Sequence, residues 1–375
     1  NYKKNKYQYL ELPKRYGKAK LPTIHLVDMI EENKKTEKFG AVFSEFMIKK
    51  IDSRIKKNEQ VILLHNRRGF APILRCTDCG EISLCPHCKL SLTYHQFDHK
   101  LKCHFCNYSA KVFDQCIQCK SINVQLSGTG TQKVEVELKN YFPNISIDRL
   151  DLDSAPTAAK IFNTLNKFSK NNIDILIGTQ MIAKGLDFAN TTLVGIINAD
   201  TGLFLPDFRA GEKVFQLIYQ AAGRSGRGSI PGEVVVQTYN SNNPIIQFAS
   251  KLDLSAYYKQ CLNERKELNY PPYSWLVRLE IRGKNKKDVI KSIKDLNSKM
   301  PSLPKGMEKL GPAYCYREKL KDQHRMQIVL KSNKKHDING SKLQSFYKNV
   351  IKNTQLLNNN SKSRLIIDVN PTSLL

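Results

Sequence analysis

The chain has 375 residues and a mass of 42.9 kDa, with 41% hydrophobic and 25% charged residues. That is ordinary globular usage at a length suited to two or three domains, and it excludes a small disulfide-stapled scaffold, a collagenous or coiled-coil rod and wholesale disorder. The 60 Lys and Arg residues against 34 Asp and Glu leave a formal charge of +26, a surplus that points to a polyanion, nucleic acid ahead of an anionic membrane.

Residues 1–35 are basic and interrupted by Pro13 and Pro22, which predicts an extended connector. From about Phe39 the spacing of Phe43, Phe46, Met47 and Ile51 predicts a helix leading into Val61-Ile62-Leu63-Leu64, a run suited to a buried parallel strand. After a cysteine-rich stretch, 76–121, the pattern resumes with helix 133–141, strand 145–150, helix 158–168, strands 173–177 and 193–197, helix 214–222 and strand 234–237. Such alternation predicts a parallel sheet covered by helices, so 36–75 and 122–240 read as one α/β domain with an insertion. Residues 241–375 form a separate α+β domain, entered through Tyr270-Pro-Pro-Tyr273, where prolines forbid helix. Strand 276–282, helix 286–300, strands near 314–316 and 326–331, helix 341–353 and strand 364–369 give the order β-α-β-β-α-β, the ferredoxin-like arrangement. The apolar runs are far too short to span a membrane, and the first residues lack a signal-like apolar core, so an intracellular protein is expected.

Eight of the ten cysteines form four C-x-x-C pairs: Cys76/Cys79, Cys85/Cys88, Cys103/Cys106 and Cys116/Cys119. Two thiolates at that spacing can grip one tetrahedral Zn²⁺, so four pairs imply two closed Cys₄ sites with no open position for catalysis. The stretch from Leu90 to Leu101 reads as a hairpin turning at Asp98 and His99, which brings Cys85/Cys88 beside Cys103/Cys106. The outer pairs, Cys76/Cys79 and Cys116/Cys119, then close around the second ion, and the two sites are nested. A disulfide framework is the competing reading, disfavoured by the strict spacing and by the expected compartment. His87, His95 and His104 are potential substitutes for a thiolate, but eight thiols complete two tetrahedra and the histidines read as fold residues.

Three motifs carry possible nucleotide or nucleic-acid chemistry. Gln220-Ala-Ala-Gly-Arg-Ser-Gly-Arg227 places Arg224 and Arg227 three residues apart, on one face of a helix that runs through them, where guanidinium groups suit phosphate. The plainer reading is a basic helix end satisfying its own carbonyls. Gly178 to Phe188 follows a buried strand, at the edge where α/β sheets bind ligands. Gly128-Thr-Gly-Thr131 resembles a phosphate loop without its G-x-x-x-x-G-K-[ST] spacing. No Walker A loop and no D-E-x-H box occurs, and Asp200, placed after a strand as a magnesium-holding Asp would be, lacks a partner loop. The chain is not expected to assemble a nucleotide site unaided.

Together these segments, with Asn66-Arg-Arg-Gly-Phe-Ala-Pro72, Tyr94-His95, Cys103-His-Phe-Cys106, Pro206-Asp-Phe-Arg-Ala210 and Tyr270-Pro-Pro-Tyr273, resemble the primosomal replication-restart helicases of superfamily 2, the PriA family, over essentially the whole chain. The resemblance implies the second RecA-like lobe, the zinc insertion and the C-terminal domain, with the first lobe and its Walker A and DExH boxes upstream. It implies ATP-dependent 3′-to-5′ DNA unwinding, with ATP and Mg²⁺ bound only when the first lobe is present, and Zn²⁺ in the insertion. Arg227 would be the arginine finger, Arg224 its neighbour on the phosphates and Gln220 an organiser of the catalytic water or of the lobe interface. Asp187 and Gly185 would lie at the nucleotide, Asp187 near the ribose. Gly178, Thr179 and Gln180 would couple nucleotide to DNA, and Thr129 and Thr131 would touch the DNA backbone. The implied partners are replication forks and single-stranded/double-stranded junctions, primosome proteins, single-strand-binding protein and the loader of the replicative helicase, in the bacterial cytoplasm at the nucleoid and not at a membrane. The rival reading is a non-enzymatic zinc-ribbon DNA-binding or assembly protein.

Overall fold

The computed structural model describes the chain except residues 1–7, 9, 11–20, 39, 66–72, 88–89, 96–97, 128–130, 151–154, 156, 180–187, 226–230, 355–361 and 375. Strand β1 (Thr23–Asp28) leads into helix α1 (Met29–Thr36), capped by the Asp28 carboxylate, which accepts from the Ile30 and Glu31 amides. Helix α2 (Glu45–Ile55), capped by Ser44, precedes β2 (Gln60–Leu64). The insertion holds β3 (Ile73–Cys76), β4 (Thr93–His95), β5 (Lys100–Lys102), β6 (Ser109–Lys111) and β7 (Val124–Ser127). Next come α3 (Thr131–Tyr141), β8 (Ile147–Leu150), α4 (Ala158–Ser169), β9 (Ile175–Gly178), β10 (Thr191–Ile196), α5 (Asp200–Leu203), α6 (Ala210–Arg224), β11 (Glu233–Thr238), α7 (Pro244–Ser250) and α8 (Leu254–Glu267). The last unit is β12 (Ser274–Gly283), α9 (Lys286–Ser298), β13 (Met307–Leu320), β14 (Gln323–Asn333), α10 (Ser341–Lys352) and β15 (Arg364–Val369).

Strands β1-β11-β10-β2-β9-β8 form a six-stranded sheet in which every neighbouring pair is parallel. Alternate side chains feed two cores, one on each face. Ile62 and Leu64 join Leu176, Val194 and Val236 under α4, α6 and α7, whereas Val61 and Leu63 join Ile177, Leu193 and Val235 under α2 and α3. Burial on both faces explains why β2, β9 and β10 read as unbroken apolar runs.

Two expected boundaries move. The connector expected over 1–35 ends by Thr23, because β1 is the edge strand of the parallel sheet in register with β11. The boundary placed at 240/241 moves past α7 and α8, since Ile246, Ala249, Tyr257 and Cys261 pack into the parallel-sheet core. Tyr270-Pro-Pro-Tyr273 is where the chain passes from that core into β12.

The last unit has the order β-α-β-β-α-β and a four-stranded sheet, β13-β14-β12-β15, antiparallel at every pairing. Helices α9 and α10 supply Val289, Ile293, Leu343 and Tyr347 to its core. Among its buried polar groups, Glu280 on β12 takes Nε and Nη2 of Arg325 at 2.7 and 3.0 Å and a further bond from Arg282. Burial works to raise the Glu280 carboxyl, but the hydrogen bonds of Arg325 and Arg282 outweigh it and hold the group below its usual range. A depressed carboxylate contributes stability that is complete above its unfolded pKa and is lost as pH falls through the folded one. The melting temperature is therefore expected to drop as the pH goes below about 4, and Glu280→Gln is expected to melt lower at neutral pH and to flatten that acid limb. A variant that keeps the full acid dependence would assign it to other carboxylates.

Candidate functional site

The cysteine pairs sit in one repeated turn. Cys76, Cys103 and Cys116 each donate their N–H to a carbonyl five residues ahead, on Glu81, Tyr108 and Ser121, and accept at their own carbonyl from Gly80, Asn107 and Lys120. Those three residues have positive φ, which only Gly80 adopts without steric cost. The turns bring Cys76, Cys79, Cys116 and Cys119 into one cluster, and Cys85, Cys103 and Cys106 into another, the grouping that nested sites require. Cys88 lies outside the described residues. The Sγ atoms stand 3.6 Å apart in Cys76/Cys119 and Cys79/Cys116 and 3.5 Å apart in Cys85/Cys106. A tetrahedral ZnS₄ centre with bonds of about 2.3 Å has sulfurs about 3.8 Å apart, so the donor set fits zinc. Burial pushes the Cys76 and Cys79 thiols up and Cys103 to about 11. At Cys116 burial acts the same way but is outweighed by backbone hydrogen bonds from Cys119 and Gln118, which hold it down at about 7.

The insertion is fastened at both ends. At its base β3 pairs antiparallel with β7, and Asp78 accepts from Ser121 and Asn123 across the first cysteine cluster. Arg75, buried on β3, meets the fully buried Asp200 at 3.2 Å and stacks near Tyr239 and Phe204. Asp200 also accepts from the Thr238 hydroxyl at 2.7 Å and the Tyr239 amide at 2.7 Å. Asp200 is thus committed to anchoring the insertion on the parallel sheet and is not disposed to hold magnesium. Breaking a buried pair strands its partner, so Asp200→Ala is expected to cost about 3–5 kcal/mol in chemical denaturation. The double variant with Arg75→Ala should lose less than the sum, and a loss below about 1 kcal/mol for Asp200→Ala would place the pair with weak surface bridges. On its far side, Leu74, Leu92, Leu101 and Phe105 share a core with Leu310 and Val329 of the C-terminal unit.

The expected nucleotide and DNA residues divide between two edges of the parallel sheet. Helix α6 carries the half-buried Gln220 and Arg224, four residues apart on one face, and ends at Arg224. The helix expected to continue through Arg227 stops because Ser225 is extended, its hydroxyl donating to the carbonyls of Thr192 at 2.9 Å and Glu233 at 3.0 Å. That places the end of α6 at the amino ends of β10 and β11. Phe188, one residue after Asp187, is at the same edge, its carbonyl accepting from Thr191 N at 3.2 Å. Thr179 is buried at the opposite, carboxyl edge, beside Gly178, whose carbonyl accepts from His65 N at 2.8 Å. Thr131 opens α3, which runs back along β8 and so also begins at the carboxyl edge. Thr192 and Ile196 span about 13 Å between these edges. Thr129, Gln180, Gly185, Asp187 and Arg227 lie outside the described residues. The sequence reading missed the Arg75–Asp200 anchor, for which the only local signal is an arginine preceding the first ligand, and a seam in which His95 meets Glu318 and His104 meets the Tyr314 carbonyl of β13.

Three family models match: PriA DNA helicase Cys-rich region over 85–111, helicase conserved C-terminal domain over 108–229 and primosomal protein N C-terminal domain over 266–372. The replication restart protein PriA of Bacillus subtilis is 35% identical over 375 residues, covering 99% of this chain and 46% of the relative. That of Chlamydia pneumoniae is 38% identical over 330 residues (87% and 44%), and that of Rickettsia conorii 34% over 369 residues (98% and 55%). Among solved structures, Dbp5 of S. cerevisiae bound to RNA and ADP BeF3 is similar with a TM-score of 0.32 and 11% identity, covering 66% of this chain and 45% of that one. No described helix is long and apolar enough to cross a membrane. The chain spans about half the length of the curated relatives it matches. With Cys-rich, helicase and C-terminal models matched in order and relatives aligned along nearly all of it, it belongs to the PriA family of replication restart proteins.

Proposed function

We propose that the chain provides the second RecA-like lobe, a binuclear zinc module and a ferredoxin-like C-terminal domain of an ATP-dependent 3′-to-5′ DNA helicase acting in replication restart. The observation that carries the reading is the division of the parallel sheet. Arg224 and the flanks of Asp187 and Arg227 gather at the amino edge of β10, while Thr179 and the start of α3 lie at the carboxyl edge. A lobe built this way meets nucleotide on one side and nucleic acid on another, so closing on ATP moves the DNA contacts. ATP supplies the phosphoryl group whose charge Arg224 and Arg227 would stabilise, with Gln220 on the same helix orienting water. Mg²⁺ and the phosphate loop belong to the companion lobe. The zinc module, held to both other units, is a rigid extension suited to forked DNA, and the surplus of positive charge suits a DNA partner. The strand order β13-β14-β12-β15 supports the ferredoxin-like reading of the C-terminal unit. We assign the eight ligands as Cys76, Cys79, Cys116 and Cys119 for one ion and Cys85, Cys88, Cys103 and Cys106 for the other. Primosome proteins, single-strand-binding protein and the helicase-loading system are the proposed partners, in the bacterial cytoplasm.

The test joins this chain behind the portion of the Bacillus subtilis relative that it does not align with. The joined protein is expected to hydrolyse ATP when forked DNA is added, and the chain by itself is expected not to. Forked DNA bound without turnover would favour the non-enzymatic zinc-ribbon reading. Full turnover by the chain alone would remove the two-lobe mechanism.

A further inference from the structure

A closed ring of side chains stands behind the end of α6. Ser225, between Arg224 and Arg227, is buried, and its hydroxyl donates to the carbonyls of Thr192 at 2.9 Å and Glu233 at 3.0 Å. The Thr192 hydroxyl donates to Oε2 of Glu59 at 2.5 Å, and Arg54 Nη1 donates to that same oxygen at 3.0 Å. The other arm of the guanidinium, Nη2, pairs with Oε2 of Glu233 at 3.1 Å, which brings the circuit back to Ser225. Arg54 belongs to the last turn of α2, Glu59 immediately precedes β2, Thr192 lies on β10 and Glu233 opens β11. Helices α2 and α6 cover opposite faces of the parallel sheet, so the ring passes around its amino edge from one face to the other.

The backbone ladder leaves this corner to the side chains. Pairing of β10 with β2 steps from Thr191 opposite Gln60 to Leu193 opposite Val61, passing over Thr192, and pairing of β10 with β11 starts at Leu193 opposite Glu233. A residue released from the ladder is placed by whatever else holds it, and such irregularities recur beside functional sites. Thr192 is held by Glu59, and Arg54 ties Glu59 to Glu233. The planar fork of a guanidinium can span two carboxylates, whereas an ammonium is a single point of charge. Burial works to raise the Glu233 carboxyl, but the contacts of Lys50, at 2.8 Å, and Arg54 outweigh it and keep the group below its usual range. We infer that Arg54 is a positioning residue for the arginines at the end of α6: through Glu59, Thr192 and Glu233 it fixes Ser225, the point from which the chain runs on to Arg227. The role rests on the two-lobe reading above and extends it to a helix on the other face of the sheet. An arginine that acts on a transition state must be aimed, and a misplacement of about 1 Å can cost about 10²-fold in rate.

The test has two arms. In the full chain, amide hydrogen exchange is followed in Arg54→Met, which removes the fork, and in Thr192→Val, which keeps the side-chain shape and removes the bond to Glu59. Both are expected to speed exchange over residues 221–225 about tenfold while residues 210–218, earlier on α6, exchange as in wild type. In the joined two-lobe protein both should lower kcat about tenfold and change KM for ATP much less, because aim is lost before binding. Beside Arg227→Ala the same substitutions should cost at most about twofold in kcat, since the group they position is gone. Should Arg54→Met fail to fold, Thr192→Val carries both arms. Unchanged exchange over 221–225, faster exchange throughout the sheet, or a loss of kcat that persists in full beside Arg227→Ala would each overturn the role of Arg54. A joined wild-type protein that never hydrolyses ATP would instead remove the two-lobe reading, and the aiming of Arg227 with it, while the exchange arm still decides whether the ring holds the end of α6.

Discussion

Stripping zinc with a strong chelator is expected to unfold the insertion while the six-stranded parallel sheet stays folded. Strands β4, β5 and β6 are three residues long, and the apolar residues at their centre, Leu92, Leu101 and Phe105, pack directly around Cys85 and Cys103. A segment this small rarely folds without a metal or disulfides. Structural zinc in finger peptides contributes about 10–16 kcal/mol at neutral pH, against about 5–15 kcal/mol for the net stability of a whole domain. The metal term therefore decides whether the insertion is ordered. With zinc gone, the released thiolates take up protons at neutral pH, because an unliganded cysteine titrates at about 8.5. The parallel sheet has two cores of its own that draw on no cysteine of the clusters. Limited proteolysis should cut within 76–121 after chelation, most of the far-UV dichroism should survive, and two equivalents of Zn²⁺ should restore resistance. An insertion that stays protected without metal would show that its fold does not depend on zinc.

The parallel sheet was legible because its strands are buried on both faces and so appear as short apolar runs separated by helical spacing. Val61 to Leu64 and Leu193 to Ile196 are the clearest cases. Strand β1 was not legible. Its His25 and Asp28 make it look polar, as suits an edge strand paired on one side only, and the prolines nearby suggested a connector. Helices α7 and α8 were missed for a related reason, since α8 leaves Leu254, Tyr258 and Leu262 exposed and shows little apolar periodicity. At the site, the C-x-x-C spacing announced the zinc ligands because the chemistry demands thiolates at fixed separation. Contacts across distant segments carry no such spacing, so Arg75 with Asp200, 125 residues apart, and His104 with Tyr314, 210 apart, became visible only once the chain was folded. The end of α6 was misjudged because helical spacing alone does not register the two carbonyls waiting for the Ser225 hydroxyl.

In the joined two-lobe protein, Arg227→Ala is expected to lower the rate of ATP hydrolysis about 10³-fold or more while changing affinity for forked DNA little, since an arginine finger acts mainly on the charge of the transition state. Arg224→Ala should share the direction with a smaller loss in kcat and a larger rise in KM, as befits a group on the phosphates of the bound nucleotide. The architecture makes the experiment clean. Ser225 is pinned to Thr192 and Glu233, so α6 terminates at a fixed point on the sheet, and the residues beyond it start from that point whatever side chain stands at 227. Ser225→Ala supplies the complementary measurement: both arginines are kept, but the carbonyls of Thr192 and Glu233 lose the Ser225 hydroxyl, and turnover should fall because the anchor is loosened. Melting temperature separates the cases, dropping for Ser225→Ala and holding for Arg227→Ala. If Arg227→Ala weakened hydrolysis and DNA binding equally, or left hydrolysis unchanged, the arginine would be a structural residue and the amino edge of β10 would no longer be the nucleotide side of this lobe.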